Sequence, residues 1–316
     1  MNTVLVTGAN GFVGHSLLLQ LEGINFWHVR GAVRCGKGDL LHNKDVVEIG
    51  DLGPDTIWEE GLHNVDVVVH TAARAHVMTD TRNDAMAEYR RVNVEATASL
   101  AQQAASQGVR RFIFVSSIGV NGNTNTVPFQ AKDEPDPADF YSISKYEAEK
   151  ELRKIAQQTG LEVVIIRPPL IYGANAPGNF GKLVKWVRKG VPLPLGGVRN
   201  RRSLVGLDNL LDLIVTCIDH PNATDEVFLV SDGEDISTSE LLLRVGRAMG
   251  RPARLLPVPV WFLKAGAAIL GRRDLARRLL GSLQVDISRT CDVLDWTPPI
   301  TVDEGLRRAV AHFNDR

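Results

Sequence analysis

Short apolar runs recur through the first half of this chain, separated by longer stretches whose apolar residues repeat at helical spacing. The runs fall at residues 4–6, 27–33, 46–49, 65–70, 111–115 and 162–167. Each has the length and apolar content of a buried strand. Helical periodicity marks residues 88–107 and 141–159. Short buried strands alternating with helices predict βαβ units and a parallel sheet. Right-handed crossovers then give a doubly wound α/β sheet with its ligand at the carboxyl ends of the strands. After Pro168-Pro169 the texture changes, and Pro and Gly become frequent over residues 173–197. A later apolar run at residues 227–230 reads as a strand. Ser237-Thr238-Ser239-Glu240 reads as an N-cap run before an apolar helix, and a last helix is expected over residues 302–313.

The first run is followed by Thr7-Gly8-Ala9-Asn10-Gly11-Phe12-Val13-Gly14 and then by the helical segment 17–21. This is a strand, a tight glycine turn and a helix. Such a turn lets the N–H groups at a helix start face a pyrophosphate, where the helix dipole also favours negative charge. A side chain at Gly8 or Gly11 would hold the phosphates away, and one at Gly14 would hinder helix–strand packing. The expected fold is therefore a Rossmann-type sheet with a smaller C-terminal part. Residues 1–174 are expected to form the dinucleotide-binding domain. Residues 175–316 are expected to form mainly a substrate-binding part, with some segments returning to the first sheet.

Composition narrows the class without choosing a reaction. The 316 residues are 44% hydrophobic and 23% charged, with a net charge of −1, which gives no bulk attraction to nucleic acid. Cys35, Cys217 and Cys291 are far apart and read as reduced thiols, with neither a disulfide frame nor a metal site. No signal peptide or bilayer-length apolar run is present, so a cytoplasmic protein is expected. Residues 261–270 are mostly apolar and are followed by Arg272, Arg273, Arg277 and Arg278. This segment reads as a domain helix with a solvated basic end; the alternative, an amphipathic helix touching anionic lipid, is the less expected one.

Candidate chemistry lies at Tyr141-Ser142-Ile143-Ser144-Lys145. Positions four apart share a helix face, and an ammonium one turn from a phenol can stabilise phenolate. A tyrosine with a lowered pKa suits proton exchange with an alcohol or carbonyl oxygen. Ser116 and Ser117 end the run at residues 111–115, where a hydroxyl at the carboxyl edge of the sheet can orient a reacting oxygen. Of the two, Ser116 is the more natural strand cap.

Together these features resemble the extended short-chain dehydrogenase/reductase family, in its nucleotide-sugar epimerase, dehydratase and reductase branch. The resemblance also rests on Asp51-Leu52, His70-Thr71-Ala72-Ala73, Val92-Asn93-Val94, Arg167-Pro168, Arg202-Ser203-Leu204-Val205-Gly206-Leu207-Asp208-Asn209 and Leu294-Asp295-Trp296. It implies Tyr141 as acid/base, Lys145 as the group that lowers its pKa and holds the ribose, and Ser117 as hydrogen-bond partner of the reacting oxygen. It implies a cofactor site of Gly8, Asn10, Gly11, Phe12, Val13, Gly14, Arg34, Asp51, Leu52, Ala72, Ala73, Asn93, Tyr141, Lys145 and Pro168. Asp51 would contact adenine, Pro168 would lie by the nicotinamide amide, and Asn93 would support the active-site helix. Asn179 and Arg202 fall where relatives hold a nucleotide diphosphate, with Arg199 and Arg201 as competitors for the second role. The family further implies a homodimer.

The reaction follows from three positions. A dehydratase carries acids directly after the active-site hydroxyl residue, and here Ile118 and Gly119 stand there, which excludes it. NAD binders tend to carry an acid at the end of the second strand. This chain has Ala32-Val33-Arg34, with Lys37 and Asp39 further on. Arg34 offers a cation to a 2′-phosphate, so NADP(H) is favoured, with NAD(H) as the alternative. Asn121 stands where many epimerases of the branch carry tyrosine. The stretches Asn175-Ala176-Pro177-Gly178-Asn179-Phe180 and Pro192-Leu193-Pro194-Leu195 resemble bacterial 4-keto reductases of surface-polysaccharide synthesis. The expected activity is thus NADPH-dependent reduction of a UDP-4-keto-6-deoxy-N-acetylhexosamine, in lipopolysaccharide and O-antigen sugar synthesis. The alternative is a UDP-hexose or UDP-N-acetylhexosamine 4-epimerase with tightly bound NAD, and a remoter one is a non-catalytic NADP-binding sensor.

Overall fold

The computed structural model describes residues 2–24, 26–34, 45–75 and 85–311, apart from the side chain of residue 274. Cys35, Lys37, Asp39 and the end of the closing helix beyond residue 311 lie outside the described residues. The strands are β1 (Thr3–Thr7), β2 (His28–Val33), β3 (Val46–Glu48), β4 (Val67–His70), β5 (Arg111–Val115), β6 (Glu162–Arg167), β7 (Leu170–Tyr172), β8 (Arg202–Gly206), β9 (Val227–Leu229) and β10 (Asp235–Ile236). The helices are α1 (Phe12–Ile24), α2 (Glu59–Leu62), α3 (Ala85–Arg90), α4 (Ala96–Ser106), α5 (Phe140–Thr159), α6 (Asn179–Arg188), α7 (Leu207–Asp219), α8 (Thr238–Ala248), α9 (Val260–Ile269), α10 (Arg273–Leu280), α11 (Ser288–Leu294) and α12 (Val302–Val310).

Seven strands form one parallel sheet in the order β3-β2-β1-β4-β5-β6-β9. The order reverses between β1 and β4, the place where a doubly wound sheet opens a ligand crevice. Helices cover both faces, which is why β1, β4 and β5 are buried along their whole length and read as unbroken apolar runs. On one face Leu17, Leu18 and Leu21 of α1 pack beside Leu210, Leu213 and Ile214 of α7. On the other, Leu100 and Ala104 of α4 pack beside Ala148, Leu152 and Ile155 of α5.

The chain crosses to a second layer at Pro168-Pro169. There β7 pairs parallel with β8, and β8 pairs antiparallel with β10. A separate core forms around Phe180 and Leu183 of α6, Leu241 and Leu242 of α8, and Leu306 of α12. The strand expected at residues 227–230 is β9, and it completes the large sheet beside β6. Ser237 caps α8 as its sequence suggests, its hydroxyl accepting from the Glu240 N–H at 3.0 Å.

Two elements depart from the periodicity. The single helix expected over residues 88–107 is broken by one π-helical turn, Arg91–Glu95, between α3 and α4. The widened turn carries Asn93 into the interior, where it is 2% exposed. The Pro- and Gly-rich stretch holds α6, which follows Gly178 at φ +78°. No helix among the described residues is long and apolar enough to cross a membrane.

Candidate active site

The glycine turn brings β1 and β4 to a close approach. Gly8 has φ +65°, and a Cβ there would lie 2.9 Å from both the N and Cα of Ala72. A Cβ on Gly14 would strike the Gly8 carbonyl and, at 2.7 Å, the Thr71 hydroxyl. Any side chain at either position would push α1 off the sheet. The Gly11 N–H donates to the Gly8 carbonyl at 2.8 Å, which closes the turn. Asn10, Gly11, Phe12 and Val13 are then presented at the start of α1, whose first N–H groups have no acceptor within the helix. This is a cradle for an anion, and it fits a dinucleotide pyrophosphate. Thr71 donates to the Thr7 carbonyl at 2.6 Å and fixes the segment carrying Ala72 and Ala73, both half-buried beside the turn.

Arg34 directly follows β2 at the carboxyl edge of the sheet and is exposed. Asp51 is exposed and Leu52 half-buried after β3, and the Asp51 charge acts on Arg91 of the π turn. Asn93 binds the backbone of Arg74 in both directions, at 2.8 and 3.1 Å, and donates to Ser144 at 2.9 Å. It therefore ties the segment after β4 to α5, a supporting position.

At the end of β5 the two serines separate in role. Ser116 is buried and donates to Glu149 at 2.6 Å. Ser117 remains half-buried, and its hydroxyl accepts from the Gly119 N–H at 3.1 Å. The tight turn of residues 118–120 lies against the first turn of α5, because a Cβ on Gly119 would overlap the Ser142 hydroxyl. As packed, position 119 therefore has no room for a side chain, while Ile118 fills the position before it. Pro168, at the end of β6, is buried and accepts from the Ile118 N–H at 3.0 Å.

Asp139 caps α5 by accepting from the Ser142 N–H at 2.9 Å, and Gly160 ends the helix at φ +76°. A cap of this kind contributes about 1 kcal/mol and fixes the first turn, where Tyr141 sits. Lys145 is buried one turn on. Its Nζ donates to the Val115 carbonyl at 2.8 Å, lies 4.3 Å above the Phe114 ring and 6.0 Å from the Tyr141 ring centre. Burial pulls the Lys145 pKa down to about 7, against the pull of the Glu149 carboxylate. Tyr141 shifts upward, through burial first and then the charges of Asp139 and Tyr89. The expectation that Lys145 lowers the Tyr141 pKa is thus not met in the protein alone. The ammonium is turned toward Val115 and Phe114, and desolvation of the phenolate wins.

Beneath Lys145 lies a group that motif reading missed. Glu149, another turn along α5, forms a doubly bonded pair with Arg167 of β6. Arg167 also donates to Asn121 at 2.9 Å, and Asn121 donates to the Gln130 carbonyl at 3.0 Å. Asn121 is 2% exposed, and through Arg167 it supports β6. The i, i+4, i+8 spacing of Tyr141, Lys145 and Glu149 was the available signal.

Asn179 is the first residue of α6 and is half-buried. Of the three competing arginines, Arg199 and Arg201 are exposed, whereas Arg202 is turned inward and donates to the Gly281 carbonyl at 3.1 Å. Burial first, and then the charge of Arg278, lower the Arg202 pKa to about 10. Like charges that act on one another favour an anion between them, so Arg278 joins Arg202 as a candidate. Arg278 is exposed, as the reading of a solvated basic end expects.

A doubly wound sheet with a phosphate cradle, a helix carrying Tyr141 and Lys145, and Ser117 at the neighbouring strand end define a dinucleotide-dependent enzyme class. The chain belongs to the NAD dependent epimerase/dehydratase family, whose model matches residues 4–231. It is 46% identical to the UDP-glucose 4-epimerase of Vibrio cholerae, over 98% of this chain and 95% of that one. It is 28% identical, over 98% and 95%, to the N-acetyl-α-D-glucosaminyl-diphospho-ditrans,octacis-undecaprenol 4-epimerase of Escherichia coli O157:H7. Its fold matches the UDP-glucuronic acid 4-epimerase of Bacillus cereus, solved with NAD, at a TM-score of 0.81 and 20% identity, covering 99% of this chain and 96% of that one.

Proposed function

We propose that this protein is a 4-epimerase of UDP-hexoses or UDP-N-acetylhexosamines that retains its nicotinamide dinucleotide through turnover. The observation that carries the reading is the 46% identity to a UDP-glucose 4-epimerase across nearly the whole chain. This reverses the order of preference drawn from the motifs alone, where the 4-keto reductase came first. Asn121, which weighed toward the reductase, is held in buried hydrogen bonds with Arg167 and the Gln130 carbonyl.

A nicotinamide dinucleotide held here would supply reversible hydride transfer at carbon four of the sugar. The chain's residues do the rest. Gly8 to Val13 hold the pyrophosphate, with Arg34, Asp51 and Leu52 on the adenosine side and Ala72, Ala73 and Pro168 toward the nicotinamide. Lys145 holds the ribose. Tyr141 takes and returns the proton of the sugar hydroxyl, and Ser117 hydrogen-bonds the same oxygen. Asn179, Arg202 and Arg278 hold the diphosphate. A positive charge brought close to Tyr141 on binding would offset the burial that keeps its phenol protonated.

A second reading, NADPH-dependent reduction of a UDP-4-keto-6-deoxy-N-acetylhexosamine, is favoured by Arg34 standing after β2 where an acid would accept the ribose hydroxyls. The purified protein should interconvert UDP-glucose and UDP-galactose, or their N-acetyl forms, with no added cofactor, and release NAD on denaturation. Stoichiometric consumption of NADPH with the 4-keto sugar, and no interconversion, would replace the first reading with the second.

A further inference from the structure

The helix α9 presents an apolar face outward as well as inward. Val260 and Leu263 pack against the second core. Yet none of its ten residues is buried. Trp261, Ala265 and Ile269, at successive four-residue steps, line one outer face, with Phe262 at its edge. Trp261 is 70% exposed, Phe262 59%, Ile269 86%, and the following Leu270 75%. The Trp261 and Phe262 rings stand edge to face at 5.7 Å. A surface helix that carries a wide apolar face outward, broken only by Lys264, has a partner or a lipid phase on that side.

The charge around this face selects the occupant. Over residues 251–273 the chain carries five cations, Arg251, Arg254, Lys264, Arg272 and Arg273, and no acid, whereas the whole chain has a net charge of −1. All five are exposed. An aromatic-rich apolar strip framed by cations matches the interface of an anionic bilayer, where indole rings favour the headgroup level and basic side chains meet lipid phosphates.

We propose that the α9–α10 hairpin docks this protein on an anionic lipid surface, with Trp261, Phe262, Ile269 and Leu270 entering the headgroup–acyl boundary. The same hairpin carries Arg278, which acts on Arg202, so docking would set the diphosphate-holding arginines near the membrane plane. This docking stands independently of the reaction proposed above.

The test is flotation of the full chain with vesicles of phosphatidylglycerol and phosphatidylcholine, against phosphatidylcholine alone. Co-flotation is expected only with the anionic vesicles. Ile269→Glu and the double change Arg272→Glu with Arg273→Glu should each lower the partition coefficient by at least about tenfold. Brominated lipid should quench indole emission in the wild type, and this quenching should be lost in Trp261→Phe while flotation persists. Circular dichroism and retained dinucleotide confirm that the variants fold. Absence of flotation, or flotation that survives both charge changes, overturns the proposal. So does a wild-type dimer that Ile269→Glu converts to monomer, since a second copy would then cover this face.

Discussion

Arg167 and Glu149 form an ion pair with two hydrogen bonds, at 2.5 and 2.9 Å, in which the side chains are 2% and 1% exposed. The pair joins β6 to α5 directly beneath Lys145; Ser116 donates one further bond to the carboxylate and Asn121 accepts one from the guanidinium. Such a pair costs much to bury, but once formed it punishes removal of one partner more than its own net worth.

Arg167→Met leaves the Glu149 carboxylate buried without a counter-charge. The expected loss is about 3–5 kcal/mol of unfolding free energy, read from urea denaturation. A loss under about 1 kcal/mol would mean that the site relaxes or admits water.

Lys145 gives the protein alone a dependence of stability on pH. Its folded pKa is lowered from 10.5 to about 7. Between those values the unfolded chain holds a proton that the folded chain has released, so stability rises with pH through this window, by up to ~1.4 kcal/mol per unit. Above the ordinary tyrosine pKa of 10 the trend turns, because Tyr141 and Tyr172 are raised on folding and stability bound to their protonated forms is lost. Lys145→Met should flatten the rise between pH 7 and 10 in urea titrations. An unchanged slope would assign the rise to another group.

Tyr141→Phe should lower turnover of the UDP-sugar by roughly 10²–10⁴ while the dinucleotide remains bound, as judged by the nucleotide released on denaturation. Near-normal turnover would remove Tyr141 from the proton-transfer role.

Arg202→Lys keeps the charge and loses the planar pair of donors. KM for the UDP-sugar should rise by about tenfold or more with kcat little changed, and inhibition by UDP should weaken in parallel. A fall in kcat at constant KM would place Arg202 at the reacting carbon and away from the diphosphate.

The nucleotide cradle was legible because its demands are local. The backbone at Gly8 needs a positive φ, and Gly8 and Gly14 meet atoms at close range, so the glycines carry the fold on their face. The strands were legible for a similar reason: burial on both faces writes an uninterrupted apolar run. The π turn was not, since Asn93 moves inward to satisfy the Arg74 backbone and Ser144, partners distant in sequence. That Arg202 is turned inward while Arg199 and Arg201 are exposed was not legible, because it depends on the pairing of β8 with β10. The hydrogen bonds of Asn121 to Arg167 and to the Gln130 carbonyl were not legible either, because position in a motif says nothing of where an amide finds its partners. The direction of the Tyr141 shift depended on how Lys145 rotates and on how little water reaches the phenol.

The seventh strand has a bearing on synthesis. The large sheet closes only when β9 pairs with β6, and the core beneath it also takes Leu294 and Trp296. A nascent chain stalled near residue 174 would have made every glycine of the cradle and still lack one edge and part of one covering layer. An N-terminal piece ending there is therefore expected to lack the native edge of its sheet, and the residues after 174 are expected to complete it in the same folding step.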